Sequence, residues 1–321
     1  MSEQRLTVVC DNELPPENLM GAYVAIGNFD GLHRGHQYLI KTMEERARNA
    51  GKAATVLTFE PHPRAFFRPE ETFFRLTAPE VKEVILKRLN IDGLFIKAFN
   101  QQLASKTAPQ FMDMVHQDMK IGGVVVGHDF HFGKGREGTP EKLKQLCAER
   151  GMDCLVVEPL LEKSEVVSSS AIRTALTEGN VQLANNLLGY RWFIRSTVVH
   201  GAKRGRELGF PTANLELEQG CTLRHGVYSV RARVSGGQII DGVASFGKRP
   251  MFDNGKPLLE VNLFNFNNDL YGQVMDVEFI GWVRPEEKFD SLETLIAAIN
   301  ADARIAQEQI AQANELSMIA G

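Results

Sequence analysis

Five short apolar runs, separated by longer segments with helical periodicity, dominate the first half of the chain. The runs are residues 22–26, 54–59, 93–99, 122–127 and 154–158. Strands that are apolar on both faces and joined by crossovers of this length form parallel sheets covered by helices. We therefore predict a Rossmann-like α/β domain built on a parallel sheet.

The polar segments of this half follow the predicted strands. Gly27–His36 (GNFDGLHRGH) comes after the first run, Thr58–Arg64 (TFEPHPR) after the second, and Gly127–Gly138 (GHDFHFGKGREG) after the fourth. In parallel α/β sheets, ligands bind beyond the carboxyl ends of the strands. We expect these three segments to meet along one edge of the sheet.

Gly27–His36 joins a predicted strand to an amphipathic helix. Its glycines allow backbone to approach a ligand, and His33 and His36 lie near a helix N-terminus, where free N–H groups favour phosphate. Residues 33–36 also fit the His-x-Gly-His signature of the nucleotidyltransferase superfamily. That resemblance implies that the two imidazoles stabilise charge on an α-phosphate and its leaving group. So short a pattern taken alone is equally compatible with a simple turn and cap.

A second helix start follows at Val167–Arg173 (VSSSAIR). Ser168, Ser169 and Ser170 are ordinary helix-capping residues. Hydroxyls and free amides at a helix start, with Arg173 one turn further on, also suit polyphosphate. We expect capping and phosphate contact together.

The pattern changes near residues 187–191. Beyond them, alternating β-type runs are joined by short turns containing glycine, which is typical of an antiparallel barrel or meander. The runs are residues 194–199, 227–234, 239–244, 258–264 and 273–280. A final amphipathic segment, about Ser291–Ala311, is predicted to cap the barrel with the face formed by Leu292, Leu295, Ile296 and Ile299. We place the domains at residues 1–186 and 187–321.

Composition restricts the partners. A net charge of −4 argues against a generally basic nucleic-acid surface. No run approaches the roughly 20 apolar residues that span a bilayer, and the N-terminus lacks a signal-peptide pattern. The four cysteines show neither paired CxxC spacing nor a histidine cluster, so we expect reduced thiols. These features predict a cytoplasmic protein without nucleic-acid or membrane partners, in which any self-association is a weak homo-oligomer.

Six motifs occur in order from about residue 20 to the C-terminus. They are the three sheet-edge segments, Ser168–Arg173, Gly205–Asn214 (GRELGFPTAN) and Leu259–Gly272 (LEVNLFNFNNDLYG). Together they resemble the bacterial bifunctional riboflavin kinase/FMN adenylyltransferases, also called FAD synthetases. The resemblance implies a nucleotidyltransferase domain followed by a riboflavin-kinase-type barrel. The barrel would phosphorylate riboflavin with ATP to give FMN, and the first domain would join FMN to a second ATP to give FAD and pyrophosphate, both with Mg²⁺.

The resemblance also implies roles in the first domain. His33, His36 and Arg173 would be catalytic. ATP and its phosphates would contact Gly27, Asn28, Phe29, Asp30, Gly31, Gly35, Ser168, Ser169 and Ser170. Flavin or adenine would contact His62, Asp129, Phe130 and Phe132. Core packing is the alternative role for the two phenylalanines, and turn stabilisation for Asn28 and Asp30.

In the barrel, the resemblance assigns Glu260 as the base that accepts the ribityl hydroxyl's proton. Thr212 and Asn214 offer neutral oxygens to Mg²⁺. A loop from Gly201 to Gly209, which includes Lys203 and Arg206, would cover phosphate. A solvent-facing carboxylate and a basic hairpin tip are the alternatives for Glu260 and the loop.

Four positions depart from the family pattern. Ser245 and Met251 stand where Asn and Thr are usual, and Asn262 and Asn265 where His and Asp are common. These departures put riboflavin affinity in question but leave the adenylyltransferase motifs intact. Two alternatives therefore stay open: an enzyme active mainly as FMN adenylyltransferase, and a non-catalytic flavin-binding regulator. A mere binder has no need of transition-state groups such as His33, His36 and Glu260.

Overall fold

The computed structural model describes residues 6–11, 13–162, 165–201, 209–218, 220–248, 257–314 and 316–320. The chain divides into two compact units. The first contains the residues up to 72 together with 82–167, and the second contains 73–81 together with the residues from 168 onward.

Among the described residues of the first unit, six strands form a parallel sheet in the order β1-β4-β3-β2-β5-β6. They are β1 (Thr7–Val9), β2 (Tyr23–Ile26), β3 (Ala54–Glu60), β4 (Gly93–Ala98), β5 (Gly123–Gly127) and β6 (Asp153–Val157). The predicted parallel α/β sheet is confirmed, with one addition. The three-residue β1 pairs with β4 at the edge of the sheet and carries too short a pattern to be recognised.

Helices follow the strands of this sheet. They are α1 (Arg34–Asn49), α2 (Pro63–Phe67), α3 (Pro79–Arg88), α4 (Gln101–Ala104), α5 (Ala108–Asp113), which continues as a π-helical turn at Met114–Asp118, and α6 (Pro140–Glu149). The core lies between them and the sheet: Val24, Leu57 and Val126 are fully buried, as are Met43 and Ala47 of α1. A small hairpin, β7 (Leu161–Glu162) and β8 (Glu165–Val166), follows β6.

Antiparallel strands of the second unit close into a barrel in the order β10-β13-β12-β11-β14-β9. The strands are β9 (Phe193–Val199), β10 (Ala213–Glu216), β11 (Gly226–Val234), β12 (Ile239–Lys248), β13 (Pro257–Leu263) and β14 (Val274–Arg284). The predicted antiparallel barrel is confirmed. Strand β10, at the end of the Gly205–Asn214 motif, was not among the predicted runs.

Within the described ranges, the second unit contains the helices α7 (Ser169–Thr177), α8 (Val181–Leu188) and α9 (Leu292–Ala311). Helix α9 begins at the N-cap Ser291, as predicted, and contacts β11, β12 and β14. Of the predicted packing face, Leu295, Ile296 and Ile299 are half-buried, whereas Leu292 is 50% exposed. The buried stripe is Asp302, Ala306 and Ile310 in the second half of the helix. None of the helices in the described ranges is long and apolar enough to cross a membrane.

Candidate active sites

The loop from β2 to α1 is tightly coiled. Phe29, Gly31 and Leu32 all have positive φ angles, of 49°, 87° and 41°. Only glycine adopts this region without cost, and complete burial of the Phe29 and Leu32 side chains offsets the cost at those two positions. The coil ends at His33, which therefore becomes the N-cap of α1.

The two imidazoles of the loop form one unit. His33 Nδ1 accepts a hydrogen bond from the backbone N–H of His36 at 3.3 Å. The rings stack with centroids 3.7 Å apart and planes at 18°, and the Phe29 ring meets His36 at a centroid distance of 5.3 Å, edge to face. Because Nδ1 of His33 is an acceptor, a neutral His33 carries its proton on Nε2.

Burial keeps both imidazoles neutral. Desolvation lowers the pKa of His33 to about 4, against the opposing effect of the Asp129 carboxylate. Desolvation also lowers the pKa of His36 well below its ordinary value, and the neighbouring His33 and Lys82 add to this effect. At neutral pH the pair therefore offers N–H donors rather than cations. Within the described part of the chain, the buried Nδ1 of His36 has no hydrogen-bond partner.

Gly35 is required by space. A Cβ placed there would lie 3.2 Å from Cε1 and Nδ1 of the His33 ring and 3.6 Å from the Val167 carbonyl oxygen. A side chain would push against the histidine stack. The glycine of the His-x-Gly-His pattern is therefore part of the packing of the two rings.

A buried lysine joins the ends of two strands beside this loop. Lys82 Nζ, on α3, donates to the Asn28 carbonyl oxygen at 3.1 Å and to Thr58 Oγ1 at 2.9 Å. Thr58 Oγ1 in turn donates to the same Asn28 oxygen at 3.1 Å. The structure thus brings together the first two predicted segments. Lys82 was not recognised from the sequence. The available signal was its position next to Val81 and one turn before Ile85 and Leu86, which places a lysine on the apolar face of the helix; all four residues are buried.

The third segment also reaches the histidines, since the Asp129 charge acts on His33. Phe132 is 5% exposed and stacks on Phe130 at a centroid distance of 5.5 Å. Phe132 therefore lies in the hydrophobic core, while Phe130 packs against that core with part of its surface open. The glycine-rich end is anchored to the start of α5, because Glu137 Oε1 accepts the backbone N–H of Ala108 at 2.7 Å.

An aromatic cluster that the sequence analysis did not anticipate lies along β3, α2 and the end of β4. Phe66, Phe67 and Phe99 meet edge to face with centroids 5.2 to 5.5 Å apart. Phe67 is 64% exposed, which is unusual for so large an apolar side chain. His62 precedes these residues as the N-cap of α2, and its Nδ1 accepts the backbone N–H of Arg64 at 3.1 Å. The pair of phenylalanines after PHPR was the signal in the sequence.

Ser168 and Arg173 lie in the second unit. Ser168 caps α7, with Oγ accepting the backbone N–H of Ala171 at 3.3 Å. Arg173 Nε donates to the Phe74 carbonyl oxygen at 2.7 Å, and its guanidinium lies 4.6 Å from the centre of the Phe73 ring. The capping role of this serine is confirmed, and phosphate contact by the segment stays a prediction.

In the barrel, three polar residues lie side by side across neighbouring strands. Glu260 of β13 pairs directly with Asn214 of β10 and with Ser245 of β12. Directly paired residues share one face of a sheet, with Cβ atoms about 5 Å apart. Asn214 is 4% exposed, and its Oδ1 is buried without a partner among the described residues. A Cβ at Gly201 would overlap the Asn214 amide, so that position also requires glycine.

Asn262, one of the departures from the family pattern, supports the same site. Its Nδ2 donates to the Pro211 carbonyl oxygen at 2.8 Å. This bond ties β13 to the chain immediately before Thr212, which is half-buried. Lys203, Arg206 and Met251 lie outside the described residues.

A parallel α/β unit with paired histidines at a helix start, followed by a closed barrel with a carboxylate beside an amide, is the architecture of a two-domain transferase of phosphorus-containing groups. Comparison with known proteins agrees. The FAD synthetase family model matches residues 16–171, and the riboflavin kinase family model matches residues 188–310.

Two curated relatives carry the same name, bifunctional riboflavin kinase/FMN adenylyltransferase. The protein from Bacillus subtilis (strain 168) is 38% identical over 297 residues, which cover 91% of this chain and 93% of the relative. The one from Haemophilus influenzae is 36% identical over 292 residues, covering 90% and 94%. A crystal structure described as a macrolide-efflux protein from Streptococcus pneumoniae superimposes with a TM-score of 0.83 at 32% identity, covering 94% of this chain and 99% of that one.

The chain belongs to the family of bifunctional riboflavin kinase/FMN adenylyltransferases. Both family models and the named relatives support a role in the biosynthesis of FMN and FAD from riboflavin.

Proposed function

We propose that this chain phosphorylates riboflavin with ATP to give FMN and ADP, and then adenylylates FMN with a second ATP to give FAD and pyrophosphate. The observation that carries the proposal is the presence of two separate constellations in one chain. Each unit has its own: the stacked His33 and His36 at the start of α1, and Glu260 between Asn214 and Ser245 in the barrel. The proposed domains, 1–186 and 187–321, assign one reaction to each.

Adenylyl transfer does not require the protein to form a covalent bond with either substrate. A phosphate oxygen of FMN attacks the α-phosphorus of ATP, and the bond to the bridging oxygen of pyrophosphate breaks. A phosphate monoester is already a nucleophile at neutral pH, so catalysis rests on positioning and on donors aimed at the growing charge. His33 and His36 supply neutral imidazole N–H groups, and the coiled loop Gly27–Gly31 and Gly35 supply backbone close to phosphate. Ser168–Ser170 and Arg173 are assigned further phosphate contacts.

Riboflavin phosphorylation needs a base and a held metal ion. Glu260 accepts the proton of the ribityl hydroxyl as its oxygen attacks the γ-phosphorus, and ADP leaves. The buried oxygen of Asn214, which has no hydrogen-bond partner among the described residues, fits a hard cation, because Mg²⁺ prefers oxygen ligands and binds phosphate oxygens as well. Asn214 and Thr212 are therefore assigned to Mg²⁺, which when bound neutralises phosphate charge. Gly201, Lys203, Arg206 and Gly209 are assigned to the loop over phosphate.

The first unit has an aromatic surface that suits stacking with the flavin ring of FMN. The exposed Phe67 with Phe66 and Phe99 offers such a surface at the carboxyl edge of the sheet. His62, Asp129 and Phe130 are assigned to flavin or adenine, and the burial of Phe132 favours a supporting position behind Phe130. Small molecules are thus the proposed partners, without nucleic acid or membrane and with at most weak self-association. Since ATP is consumed twice, we place the protein in the cytoplasm.

Product analysis tests the proposal. The purified chain is incubated with Mg²⁺ and ATP, in one reaction with riboflavin and in another with FMN, and the flavins are separated by chromatography. FAD in both reactions is the expected result. FAD from FMN alone would identify an adenylyltransferase with a failed barrel and direct attention to Ser245, Met251, Asn262 and Asn265. No product in either reaction would refute the enzymatic proposal and favour the flavin-binding regulator.

A further inference from the structure

Lys82 is buried beside the loop that carries His33 and His36, and no role has yet been assigned to it. Its side chain is 4% exposed. Burying an ammonium group is costly unless oxygen atoms surround it. Lys82 finds those oxygens at the carboxyl ends of β2 and β3, in Asn28 and Thr58, with Glu60 Oε1 at 3.8 Å.

The contacts of Lys82 fix the segments that are expected to hold substrate. One hydrogen bond reaches the backbone of the coiled loop two residues after β2. The other reaches Thr58, which starts the TFEPHPR segment and itself donates to the same carbonyl oxygen. The three groups form a closed triangle of hydrogen bonds. Loss of the ammonium would remove two sides of this triangle and leave the Thr58–Asn28 hydrogen bond.

Lys82 also acts on His36 through its charge. A cation close to an imidazole disfavours a second positive charge, and this effect adds to desolvation in lowering the pKa of His36. Other charged groups of these segments are the buried Asp30 of the loop, Asp129 of the third segment, and Glu60, whose carboxylate lies 3.8 Å from Lys82 Nζ. The Asp129 carboxylate favours a protonated His33, whereas the Lys82 ammonium disfavours protonation of His36.

We propose that Lys82 is a positioning residue of the adenylyl-transfer site, which holds the Gly27–His36 loop against Thr58 and preserves His36 as a neutral hydrogen-bond donor. The inference rests on the proposed function of the first unit. It assigns a task to α3, an element in which the sequence analysis placed no functional residue.

The test compares three substitutions of Lys82 with a matched control. Lys82→Met removes the charge and both hydrogen bonds, Lys82→Gln keeps a donor without the charge, and Lys82→Arg keeps the charge. Lys87→Met on the exposed side of the same helix is the control. FAD formation from FMN and riboflavin phosphorylation are measured for each protein, so that the second activity reports whether the chain is folded.

We expect Lys82→Met to lower kcat for FAD formation at least 30-fold, with KM for ATP changed less than threefold. Its rate of riboflavin phosphorylation should stay within twofold of wild type. Both activities of Lys87→Met should also stay within twofold of wild type. Lys82→Arg should recover at least a tenth of the wild-type kcat. In Lys82→Gln the acid limb of the pH profile should move to higher pH, because His36 would be protonated more easily. A purely structural lysine would leave that limb in place.

Three outcomes would overturn the inference. They are FAD formation in Lys82→Met within threefold of wild type, an Arg variant as inactive as the Met variant, and an acid limb that does not move in Lys82→Gln. If Lys82→Met fails to fold, the Gln and Arg variants decide the matter by the same criteria. A wild-type chain that makes no FAD from FMN refutes the proposed function itself, which is a different result from active Lys82 variants.

Discussion

Asn214 and Glu260 are directly paired residues on neighbouring strands of the barrel. Asn214 is a buried amide whose oxygen has no partner within the part of the chain that the structure describes, and Glu260 is a half-buried carboxylate. Side chains of such a pair lie about 5 Å apart on the same face of the sheet. A metal-bound phosphate beside Asn214 would therefore be within reach of a hydroxyl whose proton Glu260 accepts.

Replacing the base should separate the two activities. Glu260→Gln keeps the size of the side chain but removes its ability to accept a proton, and we expect riboflavin phosphorylation to fall at least about 100-fold. FAD formation from FMN should stay within twofold, because Glu260 is assigned no part in adenylyl transfer. Coupled assays of ADP and pyrophosphate release measure both rates on one preparation. Phosphorylation within threefold of wild type would show that Glu260 is not the base.

Asn262 should act through the loop that it holds. Asn262→Ala removes the hydrogen bond to the Pro211 carbonyl oxygen, a bond of about 1 kcal/mol, and frees the segment that carries Thr212 and Asn214. We expect a rise of several-fold in the Mg²⁺ concentration that gives half-maximal phosphorylation, with FAD formation unaffected. Asn267→Ala, at an exposed position of the following turn, is the control. An unchanged Mg²⁺ requirement would assign Asn262 to packing alone.

Asn262 illustrates which features of the fold and site could be predicted from the sequence and which could not. Apolar runs identified five parallel strands and five barrel strands, because a buried strand produces a recognisable hydrophobic pattern over a few consecutive residues. The motifs placed His33 and His36 at a helix start and assigned Asn214 and Glu260 to the barrel. Yet Asn262 was noticed only as a departure from a pattern, since the carbonyl that it binds lies 51 residues earlier in the chain.

Other features were missed for the same physical reason. The burial of Lys82 depends on oxygens from two distant strands, and a lone lysine in a helix gives no hint of them. Similarly, Arg173 has its carbonyl partner at Phe74, 99 residues away. On α9, Leu292 of the predicted face is exposed, whereas Asp302 in the second half is buried and forms an ion pair with Arg284 at 2.7 Å. Tertiary contacts, rather than local periodicity, decide each case.

The buried His33 should make the first unit sensitive to acid. Its pKa is about 4 when folded and about 6.5 when unfolded. Above pH 6.5 both states are neutral, so there is no effect; as pH falls towards 4, only the unfolded state binds the proton. We therefore expect this group to remove about 3 kcal/mol of folding stability between pH 6.5 and 4.

Urea unfolding at pH 7.5, 6 and 5, in wild type and His33→Asn, measures this effect. Asparagine is a good N-cap but does not titrate, so the variant should lose less stability on acidification. His131→Asn, at an exposed site, serves as the control. Equal pH dependence in wild type and His33→Asn would contradict the assigned protonation state.

A buried ion pair should hold the C-terminal segment to the barrel. Glu278 is fully buried and Arg191 nearly so, with Nη1 and Oε2 3.8 Å apart. Glu278 Oε1 also accepts hydrogen bonds from Ser317 Oγ at 2.8 Å and from the backbone N–H groups of Met318 and Ile319 at 2.8 and 3.2 Å.

Glu278→Ala removes the acceptor of these hydrogen bonds and leaves a buried guanidinium without its counter-ion. We expect a loss of about 3 to 5 kcal/mol in the free energy of unfolding, against less than about 0.5 kcal/mol for the exposed Glu308→Ala. The double variant Arg191→Met/Glu278→Leu should recover most of the loss, because an apolar pair needs no partner. Chemical denaturation of the three variants measures these differences, and a loss below about 1 kcal/mol for Glu278→Ala would mean that the C-terminal segment is held by its apolar contacts instead.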